Sequence, residues 1–153
     1  MEGLNVLDVI DPNTVLTHLK ANDKKEALQE MTDCLAHAGY LKDTDTYLKD
    51  VYQRESEGAT GIGGYIAIPH GKSEGVQKIG VSIAVLDHEI DWETLDDHGV
   101  RVIVLFAVGS DDASAREHLK LLSLFARKLG RDSVVEALLQ ADTPVDVRNA
   151  FKH

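Results

Sequence analysis

At 153 residues, 43% of them hydrophobic, the chain is long enough to bury a proper core as one domain spanning residues 1–153. A formal net charge of -10 argues against nucleic acid or an anionic membrane as partner, and no apolar run reaches the roughly 20 residues that span a bilayer. The single cysteine, Cys34, excludes an internal disulfide framework and suits a reducing cytoplasm, and Met1-Glu2-Gly3-Leu4-Asn5 lacks the basic-then-apolar layout of a secretory signal.

In chain order, Val6 to Ile10 is a short apolar segment ending at the turn Asp11-Pro12-Asn13. Thr14 to Leu19 is rich in β-branched residues and reads as a strand. Asp23 caps a helix, with Glu26 as the other half of a capping box, and Ala27, Leu28, Met31, Leu35 and Ala38 form its apolar face. Gly39 ends it. Asp43 or Thr44 caps a second helix through about Glu57, striped by Tyr47, Leu48, Val51 and Tyr52. A glycine cluster, Gly61-Ile62-Gly63-Gly64, then runs into a strand at Ile66 to Ile68 that stops at Pro69, since proline has no N–H to give to a ladder.

Ile79 to Leu86 reads as a strand covered on both faces. Asp87 to Gly99 reads as a loop or hairpin connection, and Val100 to Val108 as the central strand. Ser114 and Glu117 fit a capping box that opens a helix to about Leu129, closed by Gly130. Asp132 or Ser133 starts another helix through Leu139, and Thr143-Pro144 starts the last, with threonine as cap and proline at the first helical position. Alternating strands and helices predict an α/β layered domain. The sequence contains no internal repeat and no low-complexity tract.

Three residues carry candidate chemistry. His70 stands between Pro69, which fixes its own φ, and Gly71, which permits a turn. With an ordinary pKa of about 6.5, a neutral imidazole pinned by a carbonyl at one ring nitrogen leaves the other free to attack. The plain alternative is a turn histidine with a satisfied ring. His118, counted from Ser114 as cap, is the fourth residue of its helix and lies on the stripe continued by Leu122, Phe125 and Leu129. A helix N-terminus favours anions over imidazolium, so a neutral His118 there can donate to a phosphoryl or carboxylate group. Its alternative is a core histidine bonded to a strand carbonyl. Arg54, near the end of the second helix, offers a guanidinium fork that matches two phosphoryl oxygens, or else is a solvated arginine paired with a neighbouring carboxylate.

Other motifs fail on spacing. Gly71-Lys72-Ser73 looks like the end of a phosphate loop, but Ile66 stands where that loop's first glycine belongs. The same Ile66 occupies the third glycine position of a dinucleotide fingerprint begun by Gly61 and Gly63. There is no His-Glu-x-x-His, cysteine pair or Gly-x-Ser-x-Gly elbow, and no ligand spacing supports a metal site at His70 and His118. Cys34, near an apolar helix face, reads as packing.

The stretch from Gly61-Ile62-Gly63 through Ile66-Ala67-Ile68-Pro69-His70-Gly71-Lys72 resembles the active-site signature of the fructose/mannitol-type EIIA domains of the bacterial phosphotransferase system. Arg54-Glu55, Ile90-Asp91-Trp92 and Glu117-His118-Leu119-Lys120-Leu121-Leu122 are similar to that family's pattern too, so the likeness covers nearly the whole chain. It implies a mixed β-sheet between helical layers and a phosphoryl carrier that needs no metal or cofactor. His70 takes the phosphoryl group from phospho-HPr on Nε2 and passes it to a cysteine of an EIIB domain, the sugar being phosphorylated later at the membrane permease component, EIIC. By the same likeness His118 and Arg54 stabilise the group in transit. Where family members often carry a polar residue and then glycine after Gly-Ile-Gly, this chain has Gly64-Tyr65, so Tyr65 either contacts a partner or covers the strand. Two other functions stay open: a regulatory, nitrogen-type EIIA whose phosphorylation state is read by a target protein, and a metal- or histidine-dependent hydrolase.

Overall fold

The structure, a computed structural model, describes residues 5–153. Met1 to Leu4, and with them most of the segment read against a secretory signal, lie outside the described residues. In chain order the elements are α1 (Val6–Val9), a 3-10 turn (Pro12–Thr14), β1 (Val15–Leu19), α2 (Lys24–His37), α3 (Thr44–Glu57), β2 (Gly61–Gly63), β3 (Ile66–Ala67), β4 (His70–Lys72), β5 (Gly80–Ile90), β6 (Val100–Val108), α4 (Asp112–Leu129), α5 (Asp132–Leu139) and α6 (Pro144–Ala150).

The sheet is mixed, in the order β1-β5-β6-β3-β2, with β4 also on β6. Strand β6 is central: it pairs antiparallel with β5 and parallel with both β3 and β4. Its apolar run has the composition of a strand buried on both faces, and every residue but Arg101 is buried. Side chains alternate along the strands, so Val102, Val104, Phe106 and Val108 meet α1, α4, α5 and α6, while Ile103, Leu105 and Ala107 fall on the face covered by α2 and α3. The result is the α/β architecture expected, a mixed sheet between two helical layers.

Capping chemistry sets the helix starts. Carboxylates of Asp23 and Asp43 accept from the backbone N–H of Glu26 (2.8 Å) and Thr46 (3.1 Å), and Thr143 and Asp146 form a complete capping box. Glu26 completes no box at Asp23, because its carboxylate accepts instead from Asn22. Strand β5 runs on to Ile90, so the connection between β5 and β6 is shorter than Asp87 to Gly99. Cys34 donates its thiol to the Asn13 carbonyl at 3.1 Å, and burial holds its pKa above the ordinary thiol value.

The strand does not end at Pro69. It is interrupted there and resumes as β4, both pieces lying parallel to β6. Proline removes one donor but keeps its acceptor, and the Phe106 N–H donates to the Pro69 carbonyl at 3.1 Å. Gly71 is therefore a strand residue and not a turn. It faces α3, where an added Cβ would lie 2.7 Å from Val51 Cγ2 and 2.9 Å from Tyr47 Cε1. Tyr47 cannot yield easily: it is fully buried, and its hydroxyl donates to the Phe106 carbonyl at 2.7 Å. Gly71→Ala is expected to destabilise the protein by about 2 kcal/mol through overpacking, read as a lower midpoint in urea unfolding. An unchanged midpoint would mean that α3 moves aside freely.

Candidate active site

Strand β4 aims His70. It pairs with Phe106 of β6, whose ring is on the α4 side of the sheet, so the imidazole faces α4 while Gly71 faces α3. Among the described residues its ring makes one hydrogen bond, from Nδ1 to the Ile68 carbonyl at 3.3 Å. A carbonyl only accepts, so Nδ1 carries the proton and Nε2 is left with a lone pair. Burial holds the His70 pKa below its ordinary 6.5 and the Arg54 cation adds to this, against the opposing pull of the Ile68 carbonyl. At neutral pH the ring is thus mostly neutral, with Nε2 as the nucleophilic atom.

His118 comes down on it from α4, with 5.0 Å between the two ring centroids. Its other flank rests edge-on against Phe106 at 5.4 Å, and Phe106 is held in turn by Phe125. His118 is buried, and among the described residues its Nδ1 has no hydrogen-bond partner, so no strand carbonyl holds that nitrogen. Burial, and then the neighbouring His70, push its pKa down to about 4. A fixed imidazole with an unused nitrogen thus lies beside the His70 ring, where it can donate to a group held at His70 Nε2.

The helix under His118 starts earlier than Ser114. Asp111 is the cap: its carboxylate accepts from the Ser114 backbone N–H at 3.2 Å and from the Ser114 hydroxyl at 2.6 Å. Asp111 and Ser114 are both good caps, and the chain uses the one that binds the other. His118 is therefore the seventh helical residue, in the second turn, and the expectation that a helix N-terminus would act on it directly is corrected.

Arg54 lies in the last turn of α3, its Nη1 donating to the Gly58 carbonyl at 3.2 Å. Among the described residues it has no ion pair with a carboxylate, which sets aside the solvated-pair alternative, and its charge is felt at His70. The structure so brings His70 and His118 into contact and leaves Arg54 within electrostatic range.

The glycine cluster is tightly packed at its first residue. Gly61 is packed hard against the β5–β6 connection, where a Cβ would fall 2.3 Å from Thr94 Cγ2 and 2.6 Å from the Glu93 carbonyl. Gly64 and Tyr65 form the two-residue turn between β2 and β3, with φ of 64° and 71°. A tyrosine there costs about 1–2 kcal/mol, offset in part by its stacking on His98 at 4.7 Å. Tyr65 is a turn residue, half-buried beside His98.

Sequence reasoning missed the buried polar group behind the site. The Thr60 hydroxyl donates to Glu55 Oε2 at 2.7 Å and accepts from Trp92 Nε1 at 3.0 Å. Glu55 forms an ion pair with Lys24, which also reaches Glu93 at 3.0 Å and sits over the Trp92 ring. The available signal was a carboxylate and a threonine bracketing the short segment that leads into the glycine cluster. Among the described residues no group of three or more His, Cys, Asp or Glu is placed to hold a metal ion, and no helix is long and apolar enough to cross a membrane.

Residues 8–153 match the family described as phosphoenolpyruvate-dependent sugar phosphotransferase system, EIIA 2. The chain belongs to this family. It is 32% identical over 146 residues to the 2-O-alpha-mannosyl-D-glycerate-specific EIIABC component of the phosphotransferase system from Escherichia coli K12, covering 90% of this chain and 22% of that protein. The chain thus spans less than a quarter of the length of that relative. It is also 35% identical over 136 residues to the nitrogen regulatory protein of Bradyrhizobium diazoefficiens, covering 89% of this chain and 86% of the relative. Its fold is that of the Escherichia coli enzyme IIAMTL in complex with phosphorylated enzyme IIBMTL, with a TM-score of 0.77 at 22% identity over 92% of this chain and 94% of the other.

Proposed function

We propose that this EIIA-family chain, as one domain over residues 1–153, is a phosphoryl carrier of a sugar phosphotransferase system, with His70 as the carrier residue. The observation that bears most weight is the Nδ1-to-Ile68 hydrogen bond, which leaves the Nε2 lone pair of a mostly neutral imidazole available. That lone pair attacks the phosphorus of phospho-HPr. The N–P bond to the donor breaks and its electrons return to the donor ring. In the onward step a cysteine thiolate of EIIB attacks the same phosphorus, and the P–Nε2 bond breaks back to His70. No bond to carbon is made or broken, so the protein's task is to place the group and to balance its charge.

A bound phosphoryl group brings nearly two negative charges. His118, 5.0 Å away between ring centroids, supplies a hydrogen-bond donor and gains affinity for a proton as that charge arrives. Arg54 supplies a fixed cation near the same ring. Partners of the carrier are phospho-HPr and an EIIB domain in the cytoplasm, with EIIC beyond them. A neighbour of the same fold, the Escherichia coli enzyme IIAMTL, has been solved in complex with phosphorylated enzyme IIBMTL, a partner of the class proposed here as acceptor.

A second reading has its own support, because relatives that match along most of their length include nitrogen regulatory proteins. In that reading the same His70 chemistry sets the affinity for a target protein. A chase experiment separates the two: protein labelled by phospho-HPr is mixed with candidate EIIB domains. Loss of label to an EIIB cysteine within seconds is the expected result for sugar uptake. Retained label, together with a target complex that depends on phosphorylation, would favour regulation.

A further inference from the structure

We propose that Thr60 is a positioning residue for His70, acting through the backbone of Ile68; this rests on the reading of His70 as the phosphoryl acceptor. Two bonds connect them. The Ile68 N–H donates to the Thr60 carbonyl at 2.9 Å, and the Ile68 carbonyl receives the His70 Nδ1–H at 3.3 Å. Ile68, whose carbonyl on the Pro69 side selects the His70 tautomer, is therefore held by Thr60 through its own N–H on the Ala67 side.

Thr60 is placed by its own side chain. It is buried, whereas residues 56–59, which lead to it from α3, are exposed. Its hydroxyl is fully used, as donor to Glu55 and acceptor from Trp92. Glu55 has a side chain only 5% exposed and is fixed by Lys24, and Lys24 is shared with Glu93, whose carbonyl accepts from the Gly61 N–H at 3.2 Å. Threonine at this point thus ties together the end of α3, the start of α2, the start of β2 and the β5–β6 connection. A hydroxyl is required, because both neighbours are polar and sealed from water.

The last bond of the series is the weak one. At 3.3 Å the contact from His70 to Ile68 is near the limit of a hydrogen bond, so a shift of a few tenths of an ångström in the Ile68 backbone loosens it. With that bond lost, part of the population carries its proton on Nε2 and has no lone pair there to attack phosphorus. Thr60→Val removes the hydroxyl at constant shape and strands the Trp92 N–H and a Glu55 oxygen, which moves Thr60 and the Ile68 backbone with it. Thr60→Ser keeps the hydroxyl.

The test reads the His70 ring nitrogens by long-range 1H–15N spectra at pH 8, beside the rate of labelling by phospho-HPr. Wild type and Thr60→Ser are expected to show one tautomer, protonated on Nδ1. Thr60→Val is expected to show a mixture and to label about fivefold more slowly, the scale of one modest hydrogen bond. A Thr60→Val protein with a native amide spectrum and the wild-type tautomer would overturn the proposal, whatever its rate. Should Thr60→Val fail to fold, Trp92→Phe removes one of the same bonds; a smaller shift in the same direction supports the tether, and an unchanged ring overturns it. Failure of wild type to be labelled at all would count against the carrier function, while the ring spectra would still decide the positioning role.

Discussion

His70→Ala is expected to abolish labelling by phospho-HPr, a loss of at least about a thousandfold, while the urea midpoint stays close to wild type. The imidazole is partly exposed and makes one long hydrogen bond, so its removal takes little from the fold. It takes everything from the chemistry, because the nucleophile itself is gone. His118 cannot stand in. Its pKa of about 4 makes it neutral at pH 7, but it is buried against Phe106, where a donor protein cannot bring phosphorus in line. Label that survives His70→Ala would move the carrier to another residue.

His118→Ala is expected to slow labelling by about a hundredfold with the amide spectrum preserved, the scale of losing one fixed donor to developing negative charge. Among the described residues His118 Nδ1 has no hydrogen-bond partner in the resting protein, so in the proposed carrier the cost of burying it is recovered when the phosphoryl group arrives. The pH dependence follows from the two imidazoles. Both are held below 6.5, so both are neutral from pH 7 to 8, and the wild-type rate is expected to be flat there. On acidification Nε2 of His70 takes up a proton and the rate falls, with the midpoint below pH 6.5 because the pKa is lowered and not raised. A His118→Ala protein that exchanges phosphoryl groups at the wild-type rate would remove His118 from the site.

Much of this fold was legible because its signals are local. Asp23, Asp43 and Thr143 cap the helices they precede, Gly39 ends α2 with a φ of 90°, and the apolar run at Val100–Val108 is the central strand. The misreadings come where two local signals compete or where the deciding contact is distant. Ser114 looks like a cap by residue type, and only the hydrogen bonds it donates to Asp111 show that the helix starts three residues earlier. Pro69 looks like a strand end because its missing donor is visible in sequence, whereas the acceptor it keeps for Phe106 is not. Gly71 looks like a turn until Tyr47 and Val51 are seen against it. The stripe of α4 says only that His118 faces inward; its pairing with His70 came from the family likeness, and the support behind it from neither. Lys24, Glu55, Thr60 and Trp92 meet across three connections, and no periodicity joins them.

The carrier function stands or falls on one measurement. Wild-type protein incubated with phospho-HPr is expected to gain a single phosphoryl group, lost in acid and kept in base, on the peptide that contains His70. A protein that gains none, or that carries the group on any other residue, would contradict the account.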